Sequence, residues 1–477
     1  SPVNGTVTVG NGDRYNGLVF PGNGFPASGQ FRFPESTDPQ YLYLFRNGKY
    51  PSYYSNIQWN DVQPRVGIAY QLNDKTVIRT GGGRFFTRLG VSDSIFLGGN
   101  PPFQPTANVT FGNADNPGGT GQNVLPLTVT TQSRTFKNPE AWNWNFTVER
   151  QLPWNSVASI GYVGRRGLHL QREADINQPT TATVAAARAS NPTVNLDSLR
   201  PFKGYGSIRE TDNVATSRYN SLQATWNRRF VNGFMFGASY TFSHSQDDGS
   251  AQRDVIPDTY YAGNLWGDSQ FDVRHILTIN YLYALPFFRD QSRLVGKILG
   301  GWQISGITQF QTGTACSTIA NNDYAGVGQD GNVDGNSGNV AQCLGSSSGQ
   351  FWAINGDPKV IGNIALNGAT DPHYWFATTN SNGSPIFVQP SPGTFVTQNG
   401  VRNAIHNPGL ANWNIGLYKK FAINERFGFQ FRAEAFNAFN HPNWGSANFD
   451  PTSTTFGKVT AKTDDVRNLQ LSLRAYF

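Results

Sequence analysis

The sequence predicts an all-β fold, a transmembrane antiparallel β-barrel with long extracellular loops, from three observations. Apolar and polar residues alternate in segment after segment, short turns alternate with long loops, and the composition is polar but poor in charge. Charged residues are 14% of the 477 residues and aromatic residues 13%, at a mean hydropathy of −0.43. A soluble domain usually carries about 25% charged residues, so this composition disfavours an ordinary soluble fold.

The alternation is clearest in three segments, 233–243, 427–439 and 466–477. In the first, Phe234, Phe236, Tyr240 and Phe242 share one face, opposite Gly237, Ser239, Thr241 and Ser243. A period of two over about ten residues indicates a strand with one apolar and one polar face. That length is what a tilted strand needs to cross a bilayer.

The connections alternate in length. Short turns are expected at 72–74, 152–155, 231–233 and 422–425, and long loops at 87–140, 165–218, 244–271, 313–410 and 440–465. Short turns at one end and long loops at the other are typical of outer-membrane barrels.

Eleven strands are predicted, at 64–71, 75–86, 141–151, 156–164, 219–230, 233–243, 272–285, 299–312, 411–421, 427–439 and 466–477. With periplasmic short turns, the first and last strands both run inward. Bacterial single-chain barrels have even strand numbers, so we expect residues 64–477 to be the C-terminal part of a larger barrel and 1–63 an extracellular loop region. The alternative is a missed strand in 1–63, best placed at 41–45.

Composition excludes several other classes. The high aromatic content argues against disorder, and no apolar run approaches the ~18 residues of a membrane-spanning helix. The 37 Lys and Arg against 31 Asp and Glu give a net charge of +6. Since no run of five or six basic residues occurs, nucleic acid is not an expected partner.

Motifs along most of the chain resemble one family. They occupy 64–70, 142–150, 161–164, 219–223, 239–243 and 301–306, and the most specific is FRAEAFNAFNHP at 431–442. Together they resemble the C-terminal half of the barrel of Oar-like TonB-dependent outer-membrane receptors. The final residues, including Leu473, Tyr476 and Phe477, look like the C-terminal signal that the barrel-assembly machinery recognises.

The resemblance implies a 22-stranded barrel in outer-membrane lipid, of which the eleven strands are the second half. It also implies a plug domain and TonB as partners, neither of which this sequence encodes. The function it implies is uptake of a bulky, scarce solute such as a siderophore, glycan or peptide. The alternatives are a structural or adhesive surface protein and a protein-export role. No catalytic motif survives its context, so we expect no enzyme.

One loop segment resembles half of a calcium site. Asp330, Asn332 and Asp334 have the spacing of the first ligands of a calcium loop. The twelfth position, which should be a carboxylate, is Ala341, so a solvated loop is the alternative, and no other cofactor is expected. Gly326, Gly328 and Gly331 spell a dinucleotide motif outside its required strand and helix context, which indicates coincidence.

Cysteines, histidines and paired acids give further expectations. Cys316 and Cys343 flank that loop; a disulfide suits an oxidising compartment, and two free thiols are the alternative. The six histidines have no metal-ligand spacing and are expected on the surface or in the lumen. Asp247 and Asp248 are expected at the extracellular rim, as a solvated acidic pair or as a cation or ligand contact.

Two charged residues and the aromatic residues complete the predictions. Arg432 and Glu434 alternate with aromatic residues and should face the lumen, because an arginine facing lipid at mid-bilayer costs about 2–4 kcal/mol. They would contact a plug or solute, or form a structural salt bridge. Aromatic residues near strand ends fit interfacial girdles, namely Trp302, Phe310, Trp413, Phe421, Phe427 and Phe439. In the loops, Trp352, Trp375 and Trp444 are candidates for stacking on sugars.

Overall fold

The computed structural model describes residues 15, 17–50, 58–88, 99–103, 127–250, 255–288, 293–320, 322–328, 350–358, 373–424, 426–463 and 466–477. Its strands are β1 Arg65–Asn73, β2 Thr76–Phe86, β3 Leu127–Gln132, β4 Glu140–Leu152, β5 Ser156–Asp175, β6 Tyr205–Val231, β7 Phe234–Asp247, β8 Gly267–Asp268, β9 His275–Ala284, β10 Trp302–Gln311, β11 Ala315–Cys316, β12 Ile319–Ala320, β13 Gln350–Phe351, β14 Ala353–Ile354, β15 Phe387–Val388, β16 Ile405–His406, β17 Leu410–Ala422, β18 Gly428–Phe436 and β19 Asn468–Tyr476. Its α-helices are α1 Thr181–Ser190 and α2 Leu294–Leu299, with 3-10 helices at Ala27–Gly29, Pro34–Ser36, Pro39–Gly48, Leu196–Ser198 and Gly263–Leu265.

One large sheet dominates the fold. Its hydrogen-bonded path is β1-β2-β4-β5-β6-β7-β9-β10-β17-β18-β19, an antiparallel meander, with β3 parallel to β6 and β8 beside β7. The path contains all eleven predicted strands, which confirms their existence and order. The described part of the sheet is open, with β1 and β19 at its two edges. Because each strand reverses direction, the long connections share one end, the long-loop end, and the short ones share the short-turn end.

The sheet has an apolar face that is exposed. Directly opposed pairs, namely Trp302 with Lys419, Lys419 with Phe431 and Phe431 with Leu473, place these residues on one face. On that face Leu469 and Leu471 are 73% and 72% exposed. Residues of this kind are normally buried, so the exposed apolar surface is explained by lipid rather than water as its surroundings. No helix in the described residues is long and apolar enough to span a bilayer.

The buried apolar core lies at the long-loop end. One cluster there is built around Phe376, Phe387 and Phe449, and another packs residues of the N-terminal segment such as Leu44 and Phe45 against β3 and β6. The arrangement inverts that of a soluble protein, because the strands expose apolar side chains while the loops bury them.

The possible extra strand at 41–45 is wrong. These residues belong to the 3-10 helix Pro39–Gly48, whose start is capped by the Asp38 side chain accepting from the Gln40 amide. The adjacent residues Leu44 and Phe45 are both buried, which a strand with one covered face does not allow.

The loops predicted at 165–218 are shorter than expected. β5 continues to Asp175 and β6 begins at Tyr205, so both strands extend far beyond the length that crosses a bilayer. A register shift between Gly167 and Leu170, where His169 has a φ of 56°, separates the two stretches of the ladder.

Candidate functional site at the long-loop end

A buried ion pair joins the β7 end to the loop before β17. Arg402 and Asp247 are 2% and 1% exposed, and Nη2 of Arg402 lies 2.8 Å from Oδ1 of Asp247. Arg402 also donates to the carbonyls of Asp247 and Leu265 and to the Ser250 hydroxyl. Such a pair holds its elements in one arrangement, because separating its members leaves a charge buried without compensation.

The expectation that Asp247 is solvated is therefore wrong. Its neighbour Asp248 is also partly buried, and accepts from the Thr216 amide at 2.6 Å while lying 3.7 Å from Arg172. Burial raises the pKa of Asp248, and these two contacts only partly offset it. The protein's own groups contact both carboxylates, and these contacts give the two acids a structural role here.

A second ionic cluster centres on Asp268 of β8. His244 and His406 lie 2.7 and 3.0 Å from its two carboxylate oxygens, and Arg274 lies 2.9 Å from Oδ2. Arg274 also contacts Asp272 at 2.8 Å. The five residues, called the Asp268 cluster below, come from β7, β8, the segment before β9, and β16.

Both ring nitrogens of His406 face acceptors. Nε2 faces the Asp268 carboxylate and Nδ1 lies 3.1 Å from the carbonyl of Gly313. A neutral imidazole has a single N–H, so this geometry suits the doubly protonated ring. Burial by itself lowers the pKa of His406, but the hydrogen bonds to Asp268 and Gly313 and the charges of Asp268 and Asp272 outweigh it and raise the pKa.

Asp268 responds to the same contacts in the opposite direction. Burial by itself raises its pKa, but the hydrogen bonds from His406, His244 and Arg274 outweigh it and hold the pKa well below its ordinary value. The carboxylate therefore stays ionised and binds two histidines and an arginine from separate segments. We conclude that the Asp268 cluster links the loops electrostatically.

The cluster also has the composition of a metal site. Ligand atoms of His244, Asp268 and Asp272 lie within 4.8 Å of one another. However, the Arg274 guanidinium donates to both carboxylates and supplies the positive charge that a cation would bring. The donor set therefore does not fit a metal well. No sequence spacing indicates that His244 and His406 meet at Asp268, since β7 and β16 are far apart along the chain.

Several predicted site residues lie outside the described residues. These include Asp330, Asn332 and Asp334, so the calcium loop stays a prediction. Cys316 is fully buried on β11 and takes part in a disulfide. Its predicted partner Cys343 is not among the described residues, so that pairing also stays a prediction.

The structure places Arg432 and Glu434 on the polar face of β18. Glu434 accepts a 2.8 Å hydrogen bond from the Tyr418 hydroxyl. Arg432 donates to Gln430 at 3.0 Å and lies over the Tyr418 ring at 5.7 Å. The contacts with Tyr418 cross from β17 to β18, and the one with Gln430 lies within β18. That this face lines a lumen stays a prediction.

The C-terminal residues lie on an edge strand. Leu473 is 67% exposed on the apolar face and Phe477 is fully exposed after β19. Tyr476, on the other face, is paired with Gly428 of β18. Their role as an assembly signal stays a prediction.

The predicted girdle residues pair across strands on the apolar face. The ring centroids of Trp302 and Phe421 lie 6.4 Å apart near the short-turn end, and those of Phe310 and Trp413 lie 5.1 Å apart near the other end. From Trp302 to Phe310 the strand rises about 26 Å, or about 20 Å along the membrane normal if tilted by ~40°. That height is comparable with the ~25 Å apolar band of outer-membrane barrels.

The loop tryptophans are packed into the protein. Trp352, Trp375 and Trp444 lie against the cluster around Phe376, and the Trp375 indole donates to the His406 carbonyl at 2.6 Å. Their packing explains these residues without a sugar ligand.

An open meander of long strands, with lipid-compatible side chains outside and its core confined to the loops, defines an integral β-sheet membrane protein. The chain belongs to the family of the outer membrane beta barrel domain, whose model matches residues 3–470. It is therefore a protein of the bacterial outer membrane. No curated protein matches the chain.

Among solved structures, the chain is similar to the outer membrane transporter YddB from Escherichia coli, with 11% identity and a TM-score of 0.43 over 85% of this chain and 39% of that one. It is similar to the FrpB iron transporter from Neisseria meningitidis, with 9% identity and a TM-score of 0.37 over 87% and 39% of the two chains. It is also similar to the ferric-catecholate import receptor Fiu from E. coli K12, with 9% identity and a TM-score of 0.36 over 86% of this chain and 34% of that one. The chain thus spans about two fifths or less of the lengths of these proteins.

Proposed function

We propose that this chain forms the C-terminal part of the barrel of an Oar-like, TonB-dependent outer-membrane receptor that takes up a bulky, scarce solute such as a siderophore, glycan or peptide. The observation that carries the proposal is the combination of an open eleven-strand path with a folded long-loop end. The edges β1 and β19 would pair with further strands to close the barrel, because an open edge in lipid leaves backbone groups unpaired.

In this proposal the polar face lines the lumen and the long-loop end faces the outside. Arg432, Glu434 and Tyr418 would contact a plug domain or the passing solute. The long-loop end would capture the solute, and the Arg402–Asp247 pair and the Asp268 cluster would hold its loops in the binding arrangement. Preorganised loops bind more tightly because less ordering entropy is lost on binding.

The test uses the full-length protein in its own outer membrane. Cells with and without the gene are given three radiolabelled probes: a ferric hydroxamate siderophore, a xylo-oligosaccharide and a mixed peptide digest. We expect accumulation of one probe only in cells that make the protein, and its loss when a protonophore collapses the energy supply. The variant Arg402→Met should reduce accumulation, whereas the short-turn variant Lys75→Gln should not.

Two results would overturn the proposal. Accumulation that continues with the protonophore would indicate a passive pore. No accumulation of any probe, with folded protein present in the membrane, would favour the structural or adhesive alternative. Folding is checked independently by the shift in gel mobility between unheated and boiled samples.

A further inference from the structure

The connection between β9 and β10 exposes a concentrated set of apolar side chains. In its described residues, 285–288 and 293–301, called the α2 connection below, six apolar side chains are between 51% and 73% exposed: Phe287, Phe288, Leu294, Val295, Ile298 and Leu299. In the helix α2 itself only Gly296 is buried. A turn in water at the short-turn end would not need so many exposed apolar side chains. The exposed apolar patch therefore indicates that a partner covers it.

The C-terminal end of α2 is fixed to the apolar face of the sheet. The Lys419 ammonium donates to the carbonyls of Ile298, at 2.9 Å, and of Gly300. The Trp302 indole donates to the Ile298 carbonyl at 3.2 Å. Lys419 and Trp302 are directly opposed on the apolar face, so α2 lies on the outside of the sheet and away from its polar face.

Lys419 holds α2 in this position. It is 2% exposed, and its ammonium lies over the rings of Trp302 and Phe421, at 5.4 and 4.8 Å. A charge on a lipid-facing surface has no water to solvate it. Here the helix carbonyls and the aromatic rings solvate the ammonium in place of water. The lysine thus ties α2 to the girdle at the short-turn end.

The charge of the α2 connection indicates the chemistry of the partner. The described residues of the connection carry two basic side chains, Arg293 and Lys297, and no acidic one. Arg293 and Lys297 are exposed beside the apolar side chains. A short element with an apolar surface and a basic surface, at the level of an aromatic girdle, is typical of segments that lie in the headgroup region of a bilayer. Its basic residues favour anionic lipids.

We propose that the α2 connection binds anionic phospholipid in the membrane leaflet at the short-turn end. The apolar side chains enter the acyl boundary, and Arg293 and Lys297 contact phosphate groups. Lipid is favoured over a protein partner because the apolar surface of α2 continues the lipid-facing surface of the sheet. The inference requires the outer-membrane family and the orientation of the apolar face, and does not depend on any solute being transported.

The first test measures lipid retention by native mass spectrometry. Full-length protein is reconstituted in nanodiscs of phosphatidylcholine with 30% phosphatidylglycerol, then released and its bound lipids are counted. Each of the two charges removed from the α2 connection should weaken phosphatidylglycerol binding by up to about 5-fold, and Arg293→Gln with Lys297→Gln by up to about 30-fold, whereas a charge removed elsewhere at this end should weaken it less. Lys75→Gln removes one exposed charge from the β1–β2 turn at the same end and is the matched control.

Equal retention of phosphatidylglycerol by the wild type and the double variant would overturn the proposal. Equal losses per charge in the control and in the α2 variants would also overturn it, by showing a general charge effect. A second measurement needs no variant: hydrogen exchange of amides 293–300 in the wild-type protein. Exchange should be slower in nanodiscs with phosphatidylglycerol than in pure phosphatidylcholine, and identical rates would contradict the proposal.

Discussion

Replacing Arg402 by methionine should open the long-loop end while leaving the barrel strands intact. Methionine keeps most of the side-chain volume but leaves the Asp247 carboxylate, 1% exposed, without its 2.8 Å partner. Removing one member of a buried ion pair costs about 3–5 kcal/mol. Converted at about 1.4 kcal/mol per factor of ten, this lowers protection against local opening by about 10²–10³-fold or more.

The assay is hydrogen exchange of the full-length protein in detergent micelles, read at amides 401–406 and 265–269 and compared with the middle of β17. We expect the loss only in the loop amides. The double variant Arg402→Met with Asp247→Asn should recover much of the protection, because neither position then carries a buried charge without its partner. A loss below about threefold in the single variant, or no recovery in the double variant, would refute the reasoning that the pair holds the loops.

Other predictions concern separate parts of the structure. Because the pKa of His406 is raised in the folded protein, its stabilisation is present below the ordinary imidazole pKa of about 6.5 and is lost as the pH rises through the higher folded value. Protection of loop amides near 313–316, corrected for the intrinsic exchange rate at each pH, should therefore be several-fold lower at pH 8.5 than at pH 5.5, and His406→Asn should remove this difference in protection. Lys419→Met should speed exchange in α2, as loss of charge-assisted hydrogen bonds costs about 1.5–3 kcal/mol, whereas Lys420→Met, on the opposite face, should not. Gly164→Leu should destabilise the folded barrel in urea by about 1–3 kcal/mol, since even a Cβ there would lie 2.3 Å from the Trp144 indole; an unchanged unfolding midpoint would contradict it.

The strands were predictable because lipid and the polar face impose a period of two on the sequence. Where a strand no longer has one lipid-facing and one polar face, the alternation is lost and the sequence does not predict how far the strand extends. The upper part of β6 pairs with β3 and packs against the N-terminal segment, while β5 contacts Val255 and Ile256 at Glu173. Glu173 and Arg209 are buried there, and no simple alternation remains. The segment 427–439 is predicted as one strand although Asn437 interrupts its apolar face, and β18 stops just before that interruption, at Phe436, because Asn437 adopts a φ of 45° and hydrogen-bonds to His441 in a turn.

The ionic contacts of the candidate site were beyond sequence reasoning for a different reason. Arg402 and Asp247 are 155 residues apart, and His406 and Asp268 are 138 apart. Neither pair has a local spacing that marks it, since both depend on loops folding back onto the sheet. By contrast, the girdle pairs such as Phe310 and Trp413 follow directly from strand register once the alternation is read.

The length of β6 has a mechanical consequence. Its 27 residues form a continuous strand about 90 Å long, of which about 9–11 residues suffice to cross the hydrocarbon. The remaining residues of β6, hydrogen-bonded along one side to β5, form a stiff extension of the strand rather than a flexible linker. A pull on the outer end would load the hydrogen bonds within each of the two stretches of the β5–β6 ladder together, in shear, instead of breaking them one after another. Force applied at either end of this hairpin would therefore reach the other end with little loss to stretching.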